Sequence, residues 1–131
     1  MHLFALAAFS LLACSKDDAD DSGGSGALVT DQGLYELVVS YTPDPPVAGD
    51  TTLTVEIHDA DLGDLLTGST LTVTPWMPDH GHGISEPPVV VEDAGIYTVT
   101  FAYSMPGTWE LTFDVDGSLG VDSGVLTVEV Q

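Results

Sequence analysis

The strongest constraint on this chain is a period of two. From Tyr35 onward, apolar and polar residues alternate in short runs closed by Gly, Pro or Asp, the pattern of strands with one buried face. Tyr35, Leu37, Val39 and Tyr41 share one face of the first run. Leu53, Val55 and Ile57 share one face of the second, with Thr52, Thr54, Glu56 and His58 opposite. Leu71 and Val73 mark a third strand, Val89 to Val91 a fourth, and Tyr97, Val99, Phe101 and Tyr103 a fifth. Trp109, Leu111, Phe113 and Val115 mark a sixth, and Val121 to Val130 a seventh. Thr, Val, Tyr and Phe suit a pleated, half-buried surface. The one helical candidate, Asp61 to Leu66, is short and holds Gly63.

About seven short strands with turn signals between them predict an all-β chain, an immunoglobulin-like antiparallel β-sandwich. The segment Asp93-Ala94-Gly95-Ile96-Tyr97 agrees, since it resembles the Asp-x-Gly-x-Tyr corner of such domains. Val99 stands where antibody domains carry a Cys, so packing alone holds this sandwich.

The single Cys has another use. Residues 3–13 are uncharged and rich in Leu, Ala and Phe. That stretch is far shorter than the about 20 residues of a membrane span and matches the apolar region of a signal peptide. Leu11-Leu12-Ala13-Cys14 resembles the bacterial lipobox, which implies cleavage before Cys14 and a lipid on it. The expected organisation is therefore a signal peptide over 1–13, a lipidated Cys and disordered acidic tether over 14–32, and one β-sandwich domain over 33–131. The Ser and Asp-rich stretch after Cys14 has little to bury. Ser15 after the Cys implies the cell envelope of a Gram-negative bacterium, with a lipid anchor in the outer membrane and the domain facing the periplasm or the cell surface.

Charge removes whole classes of function. The chain has 21 Asp and Glu against one Lys and Arg together, a formal charge of −20. Such a polyanion neither neutralises nucleic-acid phosphates nor adheres to anionic lipid by charge. Asp17, Asp18, Asp20 and Asp21 lie in the tether, and the other acids run from Asp31 onward with no Lys or Arg to pair with. That surface predicts greater stability at high salt, where screening relieves self-repulsion. No Gly-x-Ser-x-Gly elbow or phosphate loop with Lys is present, so the chain is not expected to be an enzyme. The acidic stretches at Asp59 and Asp114 lack the Gly and Glu of a twelve-residue calcium loop.

Two segments stand apart from the strand pattern. One is Pro75-Trp76-Met77-Pro78-Asp79-His80-Gly81-His82-Gly83, with two of the four His; the other is Ser104-Met105-Pro106-Gly107-Thr108-Trp109. Met77, Pro78, His82, Gly83, Gly95, Tyr97, Met105, Pro106, Gly107 and Trp109 together resemble the YtkA-like domain, a small immunoglobulin-like module of bacterial exported proteins. The resemblance spans roughly residues 33 to 130 and implies a role beside metal-handling or efflux proteins. His80 departs from the family pattern.

The residue chemistry stands beside that resemblance. Thioether sulfur is a soft donor suited to Cu(I), and imidazole suits copper and zinc. Two His with one residue between them project to one side of an extended backbone. The expected ligands are Met77, His80, His82 and Met105 around a copper ion, with Trp76 or Trp109 covering it by a cation–π contact. His58, beside Asp59 and Asp61, reads as a solvated surface residue outside this set. Two other readings remain open: Met and Trp plugging the end of a sandwich with His on an ordinary loop, or an adhesion or scaffold module whose loops contact protein and hold no metal.

Overall fold

The computed structural model describes residues 26–131, so the expected signal peptide, Cys14 and most of the tether lie outside the described residues. Among the described residues nine strands follow one another: β1 Gly26–Val29, β2 Tyr35–Thr42, β3 Gly49–Asp59, β4 Thr70–Met77, β5 His82–Gly83, β6 Val89–Asp93, β7 Ile96–Tyr103, β8 Gly107–Gly117 and β9 Gly120–Val130. They form two antiparallel sheets, ordered β1-β2-β3-β7-β6 and β5-β4-β8-β9. The described residues are all-β, and the immunoglobulin-like sandwich predicted from alternation is the observed architecture.

Each of the seven expected runs forms a strand, and two short strands join them. β1 lies inside the stretch expected to be tether, so the sandwich takes in residues before 33. Its four residues are too few to show a period, and tertiary partners hold them. β1 pairs with β2 from Gly26↔Val39 to Val29↔Glu36. Beyond it, Thr30 Oγ1 donates to Asp122 Oδ2 at 2.6 Å, and the Gln32 and Leu34 N–H groups donate to the same carboxylate. The second addition, β5, has only two residues and folds back on β4.

Alternation places the core. Leu37, Val39, Leu53, Val55, Ile57, Tyr97 and Val99 from the first sheet meet Leu71, Val73, Leu111, Phe113 and Val115 from the second, all buried. A two-residue turn links β6 to β7, with Ala94 at φ 50° and Gly95 at φ 88°, the positive-φ pair of a tight hairpin. Tyr97 follows it, buried, with its hydroxyl donating to Ser69 O at 2.8 Å. That bond ties the hairpin to the crossover between β3 and β4.

His58 differs from its expectation. Its Nε2 lies 3.1 Å from Glu56 Oε1 and its Nδ1 3.1 Å from Gly63 O. The ring is a partly buried clasp on the β3 end rather than a solvated side chain.

The topology also gathers the two Met-Pro segments at one end. β4 ends at Met77 and turns into β5, while β7 crosses to β8 through Ser104, Met105 and Pro106.

Candidate metal centre

The turn from β4 to β5 is closed by the Gly81 N–H, which donates to Met77 O at 2.9 Å. Gly81 takes φ 66°, a conformation glycine adopts without strain. The turn brings Met77 directly across from His82 in the antiparallel register. Opposed residues share a face of the sheet with Cβ atoms about 4.5–5.5 Å apart. Met77 points into the sandwich, and His82 therefore points to the same side at its rim. The rings agree, since the His82 centroid lies 6.0 Å from that of core residue Trp109, in a T-shaped contact.

His80, on the turn itself, brings its ring to 5.9 Å from that of His82. The His82 Nδ1 lies 3.0 Å from Gly83 O. A carbonyl only accepts, so Nδ1 carries the hydrogen and the neutral ring keeps its lone pair on Nε2. A backbone carbonyl that fixes the tautomer in this way is the usual support of a ligating histidine.

The second segment meets the first from the other side. Trp109 Nε1 donates to Met105 O at 3.0 Å, fixing the crossover over the sandwich end, and Met105 packs partly buried against the core. Gly107, at φ 135°, leaves the space that the Met77 methyl occupies. Met77 is 1% exposed. Its sulfur is thus a buried donor one bond from that methyl, beneath the half-buried His82.

The two tryptophans separate. Trp109 is 0% exposed, a wall beside His82 rather than a lid. Trp76 lies one residue from Met77 on β4, so alternation sends it to the opposite face, where it is 43% exposed. Its ring packs 3.6 Å from the position of a Cβ on Gly83. Trp76 therefore does not cover an ion held on the Met77 side, contrary to the expectation from sequence.

Behind Trp109 sits Tyr103, with ring centroids 5.3 Å apart. Burial, reinforced by Tyr41, pushes its hydroxyl well above the ordinary tyrosine range. Tyr103 Oη and Thr51 Oγ1 are buried without a hydrogen-bond partner among the described residues. The part of the Gly83 carbonyl was not legible beforehand, because a backbone acceptor has no residue signature. Gly107 was visible in the sequence as part of the Met-Pro-Gly motif of the family resemblance, but not for the room it leaves Met77. Among the described residues no group of three or more His, Cys, Asp or Glu converges to hold a metal, so a site here depends on the methionines.

The fold and this rim define a small immunoglobulin-like sandwich with a Met/His cluster at one end. The YtkA-like family model matches residues 30–114, and the chain belongs to that family. The match takes in both Met-Pro segments and ends within β8. No protein of curated function matches the chain in sequence.

Solved structures similar to it include the Lin-41 filamin domain, at 22% identity and TM-score 0.48, covering 71% of this chain and 91% of that one. A copper-bound variant of FetP from uropathogenic Escherichia coli is 13% identical, with TM-score 0.48, covering 82% and 93%. FetP from the same source, as isolated, is 14% identical, with TM-score 0.47, covering 81% and 91%.

Proposed function

We propose that this YtkA-like protein is an exported lipoprotein, anchored through Cys14, whose domain binds or passes a metal ion, copper in preference to zinc. The observation that carries the reading is the His82 ring. It stands opposite Met77, its Nδ1 faces the Gly83 carbonyl, and its ring lies 5.9 Å from that of His80. Two imidazoles and a thioether are a soft to borderline set that fits Cu(I) better than a hard cation. Met105, partly buried on the neighbouring crossover, is the remaining ligand of the proposed set. No nucleophile with an adjacent base accompanies these side chains, so the proposed role is binding and transfer, not catalysis. Proteins of metal handling or efflux are the partners such a role requires.

Competition for Cu(I) against a chromogenic chelator tests the reading. The wild-type chain is expected to withdraw one equivalent, and the His80→Ala/His82→Ala variant to lose that capacity while melting as the wild type does. Equal retention by the double variant, or no withdrawal by the wild type, would leave the same loops as a protein-contact edge. Membrane fractionation of Cys14→Ser tests the anchor separately; an unchanged membrane fraction removes it.

A further inference from the structure

We propose that the free edge of β4 is a docking groove for an extended segment of a partner protein, with Lys or Arg at alternate positions and apolar residues between them. β4 pairs with β8 from Thr70 to Trp76, whereas on its other side β5 reaches only Trp76 and Met77. Leu71 to Thr74 thus present an open edge. The Pro75 carbonyl oxygen faces β5, 3.0 Å from the position of a Cβ on Gly83. Backbone direction alternates in an antiparallel ladder, so Val73 and Leu71 turn their N–H and C=O groups to that same side. Beyond the strand ladders, no backbone partner meets them among the described residues.

Such an edge is a template for another strand unless a charge, a proline, a bulge or a cover blunts it. β4 carries no charged residue, and its one proline, Pro75, lies at the β5 end, outside the open stretch. The connection that runs past the edge contains Pro87 and Pro88, which have no N–H to offer it. Between that connection and β4 lies a groove of about 590 Å³, lined by Leu71, Val73, Ile84 and Val90, with exposed Trp76 at its end. Its volume falls inside the range of about 300–1,000 Å³ usual for ligand sites. Strand addition supplies backbone bonds, and alternate side chains enter the groove.

Charge selects the occupant. In register with β4, β8 sets Asp116 beside Thr70, Asp114 beside Thr72 and Glu110 beside Trp76 on the outer face. An added strand lies two spacings from these acids, roughly 9–10 Å, a gap that long basic stems and the carboxylate side chains bridge together. A second copy of this chain would set the same acids against each other, which is unfavourable.

The test uses the full chain and a capped peptide of alternating Lys and Val, about eight residues long. A peptide of the same composition with its Lys and Val in separate blocks is the control. Saturable binding of the alternating peptide is expected, with slowed amide exchange at Leu71 and Val73. Affinity should fall about tenfold or more in Glu110→Gln/Asp114→Asn/Asp116→Asn and with added salt. Equal affinity for both peptides, absence of binding, or protection confined to β6 or β9 overturns the proposal. Protection at β4 that grows with protein concentration without peptide also overturns it, in favour of self-association.

Discussion

Replacing Gly107 with Ala probes the joint between the two Met-Pro segments. Gly107 sits at φ 135°, where an L-residue is strained by about 1–3 kcal/mol. The added methyl would also collide with Met77 Cε, and overpacking a tight core costs about 1–3 kcal/mol. Together these predict a loss of about 2–6 kcal/mol. A domain of this size shifts by about 4–8 °C per kcal/mol, so the melting point should fall by about 10 °C or more. Urea unfolding followed by tryptophan fluorescence reads this as a lower midpoint with an unchanged slope. Met77→Ala alone should cost about 2–5 kcal/mol through the cavity it leaves. In the double variant the new methyl enters that cavity, so the two losses should fall short of additivity by about 1–3 kcal/mol. A Gly107→Ala loss under about 1 kcal/mol, or strict additivity, would refute the packing of Met77 under this loop.

Three further outcomes follow from other parts of the domain. Asp122 is 3% exposed. Desolvation raises its pKa, but hydrogen bonds from Thr30, Gln32, Leu34 and Ser123 outweigh that and hold it below the ordinary 3.8. Its contribution is therefore present above that value and lost as pH falls through the lower folded one. The stability gap between wild type and Asp122→Ala should shrink on acidification below pH 3.8, and a gap that stays constant would contradict this clamp. Tyr103→Phe removes a buried hydroxyl that has no partner among the described residues, so it should be neutral or stabilise by up to about 1 kcal/mol; any clear loss by denaturant titration would reveal a missed partner. With −20 charges, the melting temperature should rise with sodium chloride as screening relieves repulsion, and a flat response would count against that account.

Period-two alternation was enough to read most of the fold, because a strand buried on one face writes its geometry into its side chains. Leu53, Val55 and Ile57 could occupy only the inner face. β1 was not legible, since Gly26–Val29 is held by β2 and the turn after it by Asp122, 88 to 92 residues away. The His80 and His82 pairing was visible in spacing, but the place of Met77 opposite His82 depended on the turn closing as it does. The facing of Trp76 was implicit in the sequence: Leu71, Val73, Pro75 and Met77 point inward, so the residue between the last two must point out. Met105 reaches this end of the sandwich only through the β7 to β8 crossover, a contact set by topology rather than by local pattern.

X-ray absorption on the Cu(I)-loaded chain tests the proposed site most directly. The copper ion is expected to be bound by both imidazole nitrogen and thioether sulfur. Sulfur should diminish in Met77→Leu, a near volume-conserving change, and the imidazole signal should disappear in His80→Ala/His82→Ala. A shell of nitrogen and oxygen alone, or one unchanged in all these variants, would contradict it.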